Sequence, residues 1–165
     1  MMPNKQENIL ARWQTTLELN VCSPLEFYER VENELLESEL PDLQFSNVTR
    51  NEGGWFSSHR TYLRIRYQRL YFDVSAFVGG RFLIVGWWLH LDSQGITDLF
   101  SELPILGFLL EKITQPDTYY RVDYLEFFQR SVHDSILRVV DEQREQNGFP
   151  LLNAEARIPI WEEIW

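Results

Sequence analysis

Residues 55–91 read WFSSHRTYLRIRYQRLYFDVSAFVGGRFLIVGWWLHL, and this stretch decides the fold. Apolar and polar residues alternate along it, with breaks at Gln68-Arg69 and Gly79-Gly80. Side chains of a strand point to opposite faces with period two. Trp55 to Tyr67 is therefore expected as a strand with Thr61, Leu63, Ile65 and Tyr67 on one face. Arg60, Tyr62, Arg64 and Arg66 take the other. Leu70 to Val78 and Arg81 to Leu91 are the next two strands. Gly79-Gly80 is a strong hairpin signal, because both positions tolerate positive φ.

Arithmetic tests the register. A two-residue turn at Gly79-Gly80 pairs Val78 with Arg81 and sets Val74 opposite Val85, Phe72 opposite Trp87 and Leu70 opposite Leu89. A turn at Gln68-Arg69 pairs Tyr67 with Leu70, Ile65 with Phe72 and Leu63 with Val74. Both hairpins put one apolar set on one face. A slip of one residue would invert it.

Upstream, Leu43 to Thr49 is expected as a further strand, ended by Asn51-Glu52-Gly53-Gly54, which completes a four-stranded antiparallel meander. Ser23, Pro24 and Glu26 form a helix start signal of the capping-box type. Phe27, Tyr28, Val31 and Leu35 then mark a buried stripe through about Glu37, and Pro41 stops that helix. Asn4 to Leu19 has helical composition with Ile9, Leu10, Trp13 and Leu17 loosely spaced, so residues 1–20 are expected as a helical arm.

Downstream, Asp92, Ser93 and Gly95 end the last strand. Ile96 to Leu103 and Pro104 to Ile113 read as short helical pieces. Tyr119 to Gln146 reads as a long helix, its stripe running through Val122, Leu125, Phe128, Val132, Ile136, Val139 and Val140. Glu126–Arg130 and Asp134–Arg138 are supportive i,i+4 pairs. Asn147-Gly148 and Pro150 end it. A tail, 151–165, closes the chain. The expected fold is a single domain of the α+β class. It is a two-layer sandwich of N-terminal helices, a four-stranded antiparallel meander and a long C-terminal helix over the inward sheet face.

Composition bounds the function. The 165 residues carry 25 acids and 15 bases, net −10, with 44% hydrophobic and 15% aromatic residues. So apolar a chain can bury a core without disulfides. So acidic a chain lacks the basic footprint of a general nucleic-acid binder. A single cysteine, Cys22, excludes an internal disulfide and a cysteine zinc site. His59, His90 and His133 match no metal-ligand spacing, and no metal or cofactor is expected. Met1 to Asn20 lacks the apolar run of a signal peptide. Ile96 to Ile113 carries four charges and is broken by Pro104 and Gly107, short of the ~20 apolar residues of a membrane span. The cytoplasm is the expected compartment.

The charge is uneven. Residues 1–58 carry a net −6 and residues 82–165 a net −8, whereas residues 59–81 carry a net +4. That island holds Arg60, Arg64, Arg66, Arg69 and Arg81 against Asp73 alone. The expected register sets Arg64 opposite Asp73, Tyr62 opposite Ser75 and Tyr71 opposite Trp88. The outward face then presents Arg60, Tyr62, Arg64, Arg66, Tyr71, Asp73, Trp88 and His90 as candidate binding residues, with Ser75, Phe77, Phe82 and Ile84 on the same face. Guanidinium binds carboxylate or phosphate in bidentate fashion and stacks on rings. The plainer alternative is a cross-strand ion pair and aromatics covered by the N-terminal helices. Ile160, Trp161, Ile164 and Trp165 form an apolar, acidic tail that docks on its own sheet or in another chain's groove. His133, Asp73 and Ser75 are triad residue types, but nothing in the sequence brings them together. No nucleophile elbow or phosphate-binding loop is present.

Gly53-Gly54, Tyr62-Leu63-Arg64-Ile65-Arg66, Phe72-Asp73-Val74, Phe82 and Trp87-Trp88-Leu89 together resemble a family of small bacterial proteins with no assigned activity. Thr118-Tyr119-Tyr120-Arg121 with Asp123, and Val132-His133 with Val139-Val140-Asp141-Glu142, resemble its helical half. The family's connector after the tryptophan pair is more apolar than this one. The resemblance implies a bacterial, cytoplasmic protein and singles out Arg64, Asp73, Tyr120 and His133. It carries over no activity, cofactor or catalytic residue. The expected function is a non-enzymatic interaction module, an acidic chaperone, immunity or accessory subunit whose negative field steers it toward a protein partner. The alternative is a module that binds a small anion or an acidic peptide on the outward face.

Overall fold

The computed structural model describes residues 9–18, 22–51, 59–67, 70–91 and 119–161. The elements are β1 (Ile9–Glu18), α1 (Pro24–Glu37), β2 (Gln44–Asn51), β3 (His59–Tyr67), β4 (Leu70–Gly79), β5 (Phe82–Leu91), α2 (Tyr119–Gln146), a 3-10 turn at Glu155–Arg157 and β6 (Ile160–Trp161). The strands form one sheet in the order β2-β3-β4-β5-β1-β6, with every pairing antiparallel. The α+β class and the meander β2 to β5 stand as expected. The two short helical pieces expected over 96–113 lie outside the described residues.

The N-terminal arm is a strand, not a helix. In β1, Ala11, Trp13 and Leu17 are buried and alternate with exposed Arg12, Gln14, Thr16 and Glu18. The same residues satisfy a loose helical spacing, but Trp13, Thr15 and Thr16 favour extended chain. The free edge of β5 settles the choice. Trp13 pairs with Trp87 and Gln14 with Gly86. A Cβ at Gly86 would lie 2.6 Å from the Trp13 carbonyl oxygen, so a glycine is what lets the two backbones close. Among the described residues the sheet thus has six strands, and one helix precedes the meander.

The hairpin after β4 is also displaced. Gly79 pairs with Phe82, so the two-residue turn is Gly80-Arg81. Gly80 has φ 64°, and among described non-glycine residues only Glu39 and Asp42 have positive φ. One glycine in the first turn position suffices for a type II′ turn. The slip is two residues, which keeps both faces. Val74 faces Trp87, Phe72 faces Leu89, and Tyr71 faces His90 in place of Trp88. The β3–β4 register is as expected, with Leu63 opposite Val74, Arg64 opposite Asp73 and Tyr67 opposite Leu70.

Both helices contribute to the core on the inward sheet face. Phe27, Val31 and Leu35 of α1 and Phe128, Val132, Ile136 and Val140 of α2 join Leu63, Ile65, Phe72, Val85, Trp87 and Leu89 in one buried cluster. Each large apolar side chain so buried contributes roughly 1.5–3 kcal/mol. The Ser23 hydroxyl accepts the Glu26 amide at 3.2 Å, a cap of about 1 kcal/mol, while the Glu26 carboxylate pairs with Arg30. Arg138 bonds Glu34 of α1 and the Ser135 hydroxyl, tying the helices together where an i,i+4 pair with Asp134 was expected. A Schellman motif ends α2. Phe149 N–H donates to the Arg144 carbonyl at 2.8 Å and Gly148 N–H to that of Glu145 at 3.0 Å, with Gly148 at φ 75°. No helix among the described residues is long and apolar enough to cross a membrane.

The tail returns along the edge of β1 as a strap. Arg157 pairs with Asp141 of α2 at 2.5 Å and donates to the Leu152 carbonyl at 3.0 Å. The Trp13 indole donates to the Ala156 carbonyl at 2.7 Å. Beyond these anchors, Ile160 pairs with Arg12 and Trp161 with Ala11, which makes β6 the edge of the sheet.

Candidate functional site

Four neighbouring strands build the outward face. Arg50 comes from β2, Arg64 from β3, Tyr71 and Asp73 from β4, and Trp88 and His90 from β5. Asp73 is 2% exposed and is the hub. Arg64 grips it with both ends of its fork, Nε to Oδ1 at 2.7 Å and an Nη to Oδ2 at 2.8 Å. Arg50 reaches the same Oδ2 at 2.8 Å. The hydrogen bonds to Asp73 hold the Arg64 guanidinium above its ordinary pKa. His90 Nε2 lies 3.9 Å from Oδ2.

An aromatic column stands beside the hub. The Tyr71 ring stacks on the His90 ring with centroids 4.9 Å apart and planes 11° from parallel. The Arg64 guanidinium carbon lies 4.2 Å from the Tyr71 ring centroid, and that of Arg66 at 5.8 Å. Tyr62 meets Trp88 edge to face at 6.2 Å. The structure therefore gathers Arg64, Arg66, Tyr71, Asp73 and His90 in one cluster, with Tyr62 and Trp88 as a second pair. Arg60 stands apart, 4.1 Å over the Phe77 ring. Tyr62, Tyr71, Asp73 and His90 are buried, and Trp88 is half-buried.

Both carboxylate oxygens of Asp73 accept guanidinium donors, so the cluster ties β2, β3 and β4 together. Among the described residues the N-terminal elements lie elsewhere: β1 extends the sheet and α1 packs on the opposite side. Arg50 is the member that sequence reasoning missed. Its signal was the alternation of β2, which continues past Thr49 and turns Arg50 to the same face as Arg64.

His133 lies on the other side of the sheet. Its Nδ1 accepts the Trp87 indole N–H at 3.1 Å, so Nε2 carries the proton and donates to the Arg157 carbonyl at 2.7 Å. Trp13 and Trp87 flank the ring edge-on at 5.3 and 5.4 Å. Burial pushes its pKa below the ordinary histidine value, against the Arg157 carbonyl and Asp134, which favour the charged form. Trp87 and Asp73 point to opposite faces of neighbouring strands, so His133, Asp73 and Ser75 form no triad.

Ile160 and Trp161 lie in the edge strand, while Ile164, Trp165 and the Tyr120 side chain lie outside the described residues. Among the described residues no cluster of three or more His, Cys, Asp or Glu could hold a metal ion. Compared with protein-family models, with curated proteins and with solved structures, the chain has no match.

Proposed function

We propose that this protein is a non-enzymatic interaction module that docks on a protein partner through its C-terminal strap. One observation carries the reading. Ile158, Ile160 and Trp161 are 65%, 56% and 44% exposed on a segment that Asp141, His133 and Trp13 hold in place. Exposed apolar side chains on a tethered edge strand are what a partner's strand or groove recognises. Prior tethering lowers the entropy cost of docking. Phe149 and Leu151 extend the apolar surface toward the end of α2.

The chain's net charge of −10 gives the partner its sign. A negative field speeds encounter with a basic surface. The partner is therefore expected to offer an apolar groove or open strand edge rimmed by arginine or lysine. An accessory, chaperone or immunity-type subunit has this character, and the cytoplasm suits it.

The test uses the whole chain as bait in extracts of the cells that make it, beside an Ile158→Asp, Ile160→Asp double variant. A stoichiometric partner held by the first and lost about tenfold or more by the second supports the proposal. Equal recovery on both baits, or no stoichiometric partner on either, overturns it.

A further inference from the structure

Where the tail passes α2 it leaves a cavity. Pairing sets Trp161 of β6 opposite Ala11 of β1. Directly opposed residues point to the same face, and Ala11 belongs to the core beneath the helices. Trp161 therefore stands on the α2 side of the sheet, with Pro159, two residues before it, on the same side. Ile160, opposite Arg12, takes the other face. On α2, Gln129, Arg130, His133 and Asp134 follow Glu126 at i+3, i+4, i+7 and i+8, which is one side of a helix. These two surfaces flank a cavity of about 370 Å³, in the range of small-molecule sites.

The floor of the cavity holds an unmet donor. Gln129 and His133 are buried, 6% and 5% exposed. Both ring nitrogens of His133 are in use, on the Trp87 indole and the Arg157 carbonyl. Among the described residues, the Gln129 side-chain nitrogen Nε2 has no hydrogen-bond partner. Folded proteins rarely leave a buried amide N–H without an acceptor, because the group loses its water partners and gains none. Glu126, Arg130 and Asp134 stand exposed at the mouth. The indole of Trp161, 44% exposed, gives the cavity a flat apolar wall.

Each of these features specifies part of a ligand. The Gln129 N–H calls for an oxygen acceptor. A mouth that carries both signs of charge favours a neutral group with donors of its own over either ion, and N–H donors bond well to carboxylates. An indole wall takes a flat ring. The geometry points to a binding site for a small planar aromatic amide between α2 and the strap. Its carbonyl accepts from Gln129, its N–H groups face the Glu126 and Asp134 carboxylates, and its ring lies against Trp161. The site does not rest on the docking of a protein partner, and either can exist without the other.

Benzamide is the probe, with acetophenone and benzoate as comparators, titrated into the full chain and followed by NMR. Acetophenone keeps the ring and the carbonyl but has no N–H donor, and benzoate replaces the donors with a charge. Benzamide is expected to saturate one site with a Kd of about 1 mM, and the comparators to bind about tenfold more weakly or worse. Its binding is expected to shift the Gln129 side-chain amide and Trp161 indole resonances of the unmutated protein. Gln129→Leu removes the donor and Trp161→Ala the wall. Each is expected to weaken benzamide about tenfold, with unchanged circular dichroism. Trp161 is exposed at the sheet edge, so its variant is expected to fold even if the Gln129 variant does not. Absence of saturable binding up to about 20 mM benzamide overturns the proposal. So does binding that leaves both resonances unmoved, equal or tighter binding of acetophenone or benzoate, or full affinity in either folded variant.

Discussion

Acidification tests the strap through His133. The ring joins three parts of the molecule. It sits on α2, accepts from Trp87 of β5 and donates to Arg157 of the tail. Protonating Nδ1 would set its new N–H against the indole N–H, two donors without an acceptor between them. The folded protein therefore prefers the neutral ring, and burial lowers the His133 pKa below its ordinary value. The sign follows from proton counts. Below about pH 6.5 the unfolded chain takes up this proton and the folded chain does not. Stability is full above that pH. It falls by about 1.4 kcal/mol per pH unit until the folded pKa is reached. A domain stable by roughly 5–15 kcal/mol shows such a slope clearly. Urea unfolding is followed by tryptophan fluorescence from about pH 7.5 to about pH 5, beside His133→Gln. The variant lowers stability at neutral pH and abolishes that part of the slope. A stability difference that stays constant across the range refutes the reasoning, as does an imidazole resonance titrating at or above the ordinary histidine value.

Three further outcomes follow from the same geometry. Asp73→Asn leaves Arg64 and Arg50 facing each other without their anion and costs about 3–5 kcal/mol, whereas Arg50→Ala, on the more exposed partner, costs about 1 kcal/mol; urea midpoints separate the two. Tyr28→Phe strands the Ala76 N–H and the Thr61 carbonyl and costs about 1–3 kcal/mol, with faster hydrogen exchange at Ala76 than in the original chain. Cys22, raised to about 11 mainly by burial and also by Glu26, reacts with a thiol reagent at pH 8 far more slowly than a free cysteine, and rapid labelling of the folded chain contradicts this.

How much of this was legible depends on which contacts are local. The Arg64–Asp73 pair follows from the Tyr67–Leu70 register alone, so counting along the sequence finds it. The Tyr71–His90 stack depends on the next hairpin, where a slip of two residues preserves every face and leaves no mark in the hydrophobic pattern. Only the cost of positive φ at a second turn position separates the two registers. β1 was misread for a different reason. Ile9, Leu10, Trp13 and Leu17 satisfy one period, and Ala11, Trp13, Thr15 and Leu17 another. The edge of β5, far away in sequence, decides between them. The partners of His133 lie 46 residues upstream and 24 downstream, beyond any local signal. The Tyr28 bridge from Ala76 to Thr61 was hidden in plain view: its place in the α1 stripe marks it as core, and nothing marks the hydroxyl as a bridge between strands.

The basic island of the sequence now divides into two unlike halves. At one end Arg64 and Arg50 close on Asp73, so the protein supplies the anion itself and buries it. An external anion there would have to displace a carboxylate held by three short hydrogen bonds, in competition with a partner that is covalently present. At the other end Arg60 stands outside this lock, its guanidinium 4.1 Å over the Phe77 ring. The Asp73 cluster therefore serves to hold β2, β3 and β4 together. Asp73→Asn, which leaves two guanidinium groups facing each other without their anion, should lower stability by more than Arg60→Gln does. Equal urea midpoints for the two variants would sink that assignment.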